Sequence, residues 1–133
     1  MGRFFSIGEL CRSNVADLKS IPNHPNTYQK MNMEKLIRNV LDPLRFKFGK
    51  PIYVNSGFRC AMLNELIGGA RNSQHMDGKA ADITSGNKKD NKVIFDLAQS
   101  MGLEFDQLIN ENQFSWIHIS YNEDNNRNQV LSL

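Results

Sequence analysis

Apolar residues along the chain follow two spacings, and each spacing predicts a different kind of element. Between Thr27 and Gly49 they recur every three or four positions, which is typical of one face of a helix: Met33, Leu36, Ile37, Val40, Leu41 and Leu44. Pro43 is expected to kink or divide this helix near Leu41, because proline has no backbone N–H to donate.

Helix signals also occur in shorter segments. Ser6-Ile7-Gly8-Glu9 has the form of a capping box and predicts a short helix from Ile7 to about Arg12. Two further helices are predicted over 61–67 and 90–101, each followed by glycine as a stop. Residues 13–27 are polar and contain two prolines, so we expect an irregular connection there.

Strands are predicted where β-branched and aromatic residues cluster or alternate with polar ones: over 51–55, 80–84, 105–110 and 115–121. The last two indicate a hairpin with its loop between Glu111 and Phe114. The polar stretch 122–128 is expected to be a loop, with Val130-Leu131 packing back. Because helices and strands mix without a regular strand-helix-strand rhythm, we predict a single α+β domain over 1–133, with a small antiparallel sheet flanked by helices.

Composition and charge narrow the class of protein. Sixteen Lys and Arg against 14 Asp and Glu leave a formal charge of +2, and the basic residues are scattered, so nucleic acid is not an expected partner. No apolar run approaches the ~20 residues of a membrane span, and the N-terminus lacks the apolar core of a signal peptide. We therefore expect a soluble monomer, cytoplasmic as synthesised. A disulfide between Cys11 and Cys60 stays open, although free thiols are favoured.

Two histidines and one aspartate give the chain its candidate chemistry. His75 lies in a glycine-bounded loop, and Asp82 follows seven residues later in a predicted strand. Strand alternation places His118 on the face opposite to Ile117 and Ile119, so its imidazole points out of the core. A catalytic Zn²⁺ takes three such protein ligands and leaves a position for water. The plainer alternative is a domain whose histidines are structural, and His24 is expected to be solvated.

These residues resemble the zinc D-alanyl-D-alanine peptidases, the M15-like Hedgehog/DD-peptidase group that also includes phage endolysins. The pattern of that group is S-x-H-x-x-G-x-A-x-D with a distant W-x-H, and every position is filled here: Ser73, His75, Gly78, Ala80, Asp82, Trp116 and His118. Similarity to its small phage-type branch continues in the segments 40–45, 56–59, 66–70 and 126–131. The resemblance therefore extends over essentially the whole chain.

The resemblance implies roles for six residues. His75, Asp82 and His118 would be zinc ligands, Arg59 would hold a substrate carboxylate or carbonyl, and Ser73 would support substrate nearby. Many members of the group place an acidic residue three positions before the last histidine, where this chain has Ser115. The small phage-type branch instead has an acid at the end of the preceding strand, which makes Glu111 the expected general base. Asp77, on the same loop as His75, is a weaker candidate.

The function that follows from the resemblance is hydrolysis of peptidoglycan stem peptides, with Zn²⁺ as the cofactor. The enzyme would be a D-Ala-D-Ala carboxypeptidase or an endolysin-type endopeptidase. A non-catalytic zinc-containing module, which binds cell wall or builds a virion, is the alternative that Ser115 leaves open. The resemblance also suggests a phage or prophage origin, with action on the cell wall after release.

Overall fold

A five-stranded sheet organises the chain in the computed structural model, which describes residues 4–133. Its strands, in chain order, are β1 (Tyr53–Ser56), β2 (Ala80–Thr84), β3 (Gln107–Glu111), β4 (Trp116–Ser120) and β5 (Gln129–Ser132). They lie in the order β1-β2-β4-β3-β5. The first four pair antiparallel, whereas β5 runs parallel to β3. The α+β class is therefore confirmed, and the sheet is mixed because the C-terminal segment returns beside β3 in the same direction.

The helices lie mainly where the apolar spacing predicts them: α1 (Ile7–Cys11), α2 (Asn14–Leu18), α3 (Thr27–Leu36), α4 (Asp42–Phe48), α5 (Ala61–Leu66) and α6 (Lys88–Ser100). The irregular connection predicted over 13–27 is wrong at its start, because the hydroxyl of Ser13 accepts the amide of Ala16 and begins α2. Within residues 4–133, no helix is long and apolar enough to cross a membrane.

The long helix predicted from Thr27 is divided, as Pro43 suggested. A π-helical turn, Ile37–Leu41, separates α3 from α4. In this turn the amide of Asp42 bonds to the carbonyl of Ile37, five residues back. Pro43 then stands at the start of α4, where its missing N–H costs no helical hydrogen bond. The helix continues to Gly49, whose φ of 78° ends it.

The two faces of the sheet have different roles. Ile83, Ile117 and Ile119 are fully buried on the face that packs with the apolar stripes of α3, α4 and α6. The pairing of Asp82 with His118 places both side chains on the opposite face. One face of the sheet thus builds the core, and the other is available for a functional site.

Candidate metal centre

Asp82 and His118 are brought together by the hydrogen-bonding ladder of the sheet. They stand directly opposite each other on the antiparallel strands β2 and β4. The carboxylate oxygen Oδ1 of Asp82 lies 3.0 Å from Nδ1 of His118. Side chains that are opposed across such a pair share a face at close range, so this contact is fixed by strand register.

His75 reaches the same face from a loop, which we call the metal loop (residues 73–79). Its central part, Gln74–Asp77, is a single 3-10 turn. The hydroxyl of Ser73 caps the turn by accepting the amide of His75 at 3.1 Å. Gly78 ends it with a φ of 75°, a conformation that glycine adopts without strain.

The metal loop is anchored against α3. The side-chain amide of Gln29 donates to the carbonyl of Met76 at 3.1 Å, and that of Asn32 donates to the carbonyl of Asp77 at 2.9 Å. A Cβ atom at Gly78 would lie 2.4 Å from the carbonyl oxygen of Gln29. The loop can therefore approach α3 this closely only with glycine at position 78.

The imidazole of His75 is oriented by a backbone carbonyl. His75 is 2% exposed, and its Nδ1 lies 2.7 Å from the carbonyl oxygen of Gly57. A carbonyl only accepts, so Nδ1 carries the proton and Nε2 presents its lone pair. Nε2 faces Asp82, at 3.4 Å from Oδ1.

The three residues predicted as metal ligands thus converge. The rings of His75 and His118 are 5.2 Å apart between centroids, and one ligand atom from each of the three residues lies within 4.8 Å of the others. Two imidazoles and one carboxylate form a donor set that suits Zn²⁺. The residues present therefore fit the metal that the sequence suggested.

Asp82 is ionised in this setting. Burial alone would raise the pKa of its carboxyl, but His118 and His75 in their protonated forms, which would donate hydrogen bonds to the carboxylate and carry positive charge, hold that pKa well below its usual range. An ionised carboxylate between two imidazoles is a favourable place for a divalent cation.

Arg59 lies beside this cluster. Its backbone amide donates to the carbonyl of His75 at 3.1 Å. Burial lowers the pKa of its guanidinium, while the negative charge of Asp82 acts in the opposite direction. Its Nε is buried and has no hydrogen-bond partner among the described residues, which is uncommon for a charged donor.

A cleft of about 310 Å³ opens next to His118. Its walls are formed by Ala70, Asn72, Ser73, Gln74, Gln107, Ile109, Glu111, His118 and Arg127. Glu111 is half-buried at the end of β3, opposite Trp116. The structure therefore brings Ser73 and Glu111 into one cleft with His118. Asp77 is exposed and does not line this cleft, and His24 is exposed.

The structure also describes Ser115 and the two cysteines. The hydroxyl of Ser115 donates to the carbonyl of Asn112 at 2.6 Å and holds the hairpin turn. Cys11 and Cys60 are free thiols.

Some contributors to the site were missed by the sequence analysis. Gly57 acts through its carbonyl, which no side-chain pattern can reveal. Asp106, which is 1% exposed, contacts Gln74 of the metal loop. An aspartate beside an apolar strand is only a weak signal of a buried contact. The sequence could not show its partner, because Gln74 lies 32 residues away.

Comparison with known proteins gives two findings. The family model described as Peptidase M15 matches residues 4–120. A stretch of 49 residues is 49% identical to the zinc D-Ala-D-Ala carboxypeptidase of Streptomyces albus G. That stretch covers 36% of this chain and 19% of the Streptomyces protein, so the likeness spans about a fifth of that relative's length.

Proposed function

The chain belongs to the M15 family of peptidases, and from that premise we propose that it is a zinc-dependent peptidase acting on peptidoglycan stem peptides. One observation carries the proposal: donor atoms of His75, Asp82 and His118 converge within 4.8 Å of one another, beside an open cleft. The name of the Streptomyces relative supports both the metal and the substrate.

In this proposal His75, Asp82 and His118 hold the Zn²⁺ ion. A zinc ion bound by such a set polarises a carbonyl oxygen and lowers the pKa of a water molecule to about 7. His75 presents Nε2 because Gly57 fixes the proton on Nδ1. His118 faces the site through Nδ1, the atom that lies next to Asp82.

Glu111 is the general base of the proposal. Its carboxylate takes a proton from the attacking water molecule and returns it to the amine that leaves. Its place in the cleft with His118 supports this role. Such proton transfer contributes typically 10²–10⁴-fold to the rate, so its loss is measurable while the metal stays bound.

Arg59 and Ser73 position the substrate. The guanidinium of Arg59 would donate to a substrate carboxylate or carbonyl oxygen, and its electrostatic interaction with Asp82 supports a place close to the metal centre. Ser73 lines the cleft, and its hydroxyl hydrogen is free to donate because its oxygen is the acceptor for His75. If Arg59 binds the terminal carboxylate of the substrate, the bond that is cut is the terminal D-Ala-D-Ala bond. If Arg59 binds a backbone carbonyl of the substrate, the enzyme is an endolysin-type endopeptidase.

The test begins with zinc content and with defined muropeptides. Purified protein is expected to hold one zinc per chain, and mass spectrometry is expected to detect either free D-Ala or a cleaved internal bond. His118→Ala should abolish zinc retention and hydrolysis together. His24→Ala is the matched control, because His24 is an exposed histidine outside the cluster. Hydrolysis by a metal-free His118→Ala protein would contradict the proposal.

Glu111→Gln tests whether Glu111 is the general base, and hydrolysis by the unaltered chain tests the non-catalytic alternative. We expect this variant to keep zinc and to lose hydrolysis by roughly 10²–10⁴-fold. Unchanged turnover would remove Glu111 as the base. Zinc retention without any hydrolysis by the unaltered chain would favour the non-catalytic module. The phage origin, the cytoplasmic synthesis and the monomeric state stay predictions.

A further inference from the structure

Asp106 is a buried carboxylate that the proposed reaction does not use. It lies immediately before β3 and is 1% exposed. Its Oδ1 accepts Nε of Arg127 at 2.8 Å and the amide of Arg127 at 3.1 Å. Its Oδ2 accepts Nη2 of Arg127 at 3.0 Å and Nε2 of Gln74 at 2.7 Å. A buried carboxylate is tolerated because both oxygens have charged or polar partners.

Gln74 connects this carboxylate to the metal loop. It directly precedes His75, and its carbonyl accepts the amide of Lys79 at 3.0 Å, which closes the loop. The opposite side of the loop is held by Gln29 and Asn32 of α3. The turn that carries His75 is therefore held between α3 and the start of β3.

Arg127 connects the same carboxylate to the C-terminal segment. Its side chain is 51% exposed, and it forms a two-pronged pair with Asp106 two residues before β5 begins. Arg127 also lines the cleft that contains Glu111 and His118. Two walls of the cleft, Gln74 and Arg127, thus meet on one buried carboxylate.

We propose that Asp106 is a positioning residue for the metal centre, which fixes Gln74 and thereby the backbone that carries His75. The inference rests on the proposed zinc site. Replacing a residue that orients a metal ligand without binding the metal typically lowers metal affinity by about 10–100-fold. A residue that served stability alone would lower the melting temperature and leave the zinc affinity of the folded protein unchanged.

Gln74→Leu is the sharpest test, because it removes the link to the metal loop and leaves the Asp106–Arg127 pair intact. Zinc affinity is measured by competition with a coloured chelator, and the melting temperature is measured without zinc. We expect the zinc dissociation constant to rise about 10–100-fold. Gln99→Leu is the matched control, because Gln99 bonds within its own helix, to the carbonyl of Phe95. It should leave zinc affinity unchanged.

A double-mutant cycle identifies Asp106 as the residue through which Gln74 acts. In an Asp106→Ala background, Gln74→Leu is expected to cause little further loss of zinc affinity, because the contact is already gone. Full additivity would overturn the inference, and so would a Gln74→Leu protein that binds zinc as tightly as the unaltered chain. The comparison of Gln74→Leu with the unaltered chain tests the inference even where Asp106→Ala does not fold. Failure of the unaltered chain to bind zinc would instead overturn the proposed function, and this inference with it.

Discussion

Replacing Gly57 by alanine would displace the carbonyl that orients His75. A Cβ atom at position 57 would lie 2.3 Å from the carbonyl oxygen of Leu10 and 2.9 Å from its Cα and Cβ. Ordinary non-bonded contacts are about 3.5–4.0 Å, so the shortfall to the oxygen exceeds about 1 Å. The obstructing atoms belong largely to backbone, and Leu10 is fully buried, so the segment around Gly57 must shift.

The shift has two expected consequences. Overpacking of a buried contact costs about 1–3 kcal/mol of unfolding free energy, or about 3–10 °C in melting temperature for a chain of this size. The bond from the amide of Phe58 to the carbonyl of Leu10, 2.7 Å long, lies in the strained region. Displacement of the Gly57 carbonyl, 2.7 Å from Nδ1 of His75, should also weaken zinc binding about 10–100-fold.

The assay combines thermal unfolding without zinc and chelator competition for zinc. Gly8→Ala is the matched control, because a Cβ atom at Gly8 would meet nothing closer than the hydroxyl of Ser6 at 3.9 Å. Gly8 lies inside α1, where alanine should stabilise the helix by about 0.5–1 kcal/mol. A Gly57→Ala protein with unchanged stability and unchanged zinc affinity would refute the reasoning.

Three further predictions concern substrate, core and pH. Arg59→Ala should lower kcat/KM on carboxylate-terminated peptides about 10–100-fold, because such a loss corresponds to one charge-assisted hydrogen bond. Arg59→Lys should keep only part of the activity, since lysine cannot form the same two-pronged contact. Release of the free terminal amino acid measures the activity of both variants. Ile83→Ala removes a fully buried side chain and should lower the free energy of unfolding, measured with urea, by about 2–5 kcal/mol. A decrease below about 1 kcal/mol would contradict the assignment of Ile83 to the core. Hydrogen bonds from Arg127 outweigh burial and lower the pKa of Asp106, so the folded chain binds this proton less readily than the unfolded chain. Its contribution to stability is therefore present above the ordinary carboxyl pKa of about 3.9 and is lost as the pH falls through the lower folded value. In zinc-free protein Asp106→Asn should flatten the acid limb of stability, and an unaltered limb would contradict the pairing.

The sequence predicts best what depends on local pattern. Strand β2 lies at the predicted residues, 80–84, and α6 ends within one residue of its predicted end at Met101. Both segments are bounded by glycine turns and have a single consistent period. The parallel pairing of β5 could not be foreseen, because a short polar-apolar segment carries no information about which sheet edge it will join. The helix α2 was missed, although serine at position 13 is a residue type that favours the start of a helix.

The candidate site divides in the same way. His75, Asp82 and His118 were singled out from residue types and spacing, and the resemblance gathered them into one site. The groups that hold them were missed, because a backbone carbonyl at Gly57 and a carboxylate at Asp106 acquire their meaning only through distant partners. A sequence pattern reveals residues whose side-chain type indicates their chemistry, but it does not reveal groups whose role depends on their position in the fold.

The three candidate ligands are not held equally firmly by the fold, so substitutions near them should affect zinc binding to different degrees. Asp82 and His118 sit on adjacent strands, so their separation is set by a ladder that also carries Ile83, Ile117 and Ile119 of the core. His75 stands on a single 3-10 turn that depends on a few side-chain contacts. Substitutions that weaken those contacts, at Gln29 or Gln74, should therefore reduce zinc affinity more than stability. Core substitutions beneath the strands should do the reverse, and chelator competition beside urea unfolding would distinguish the two classes.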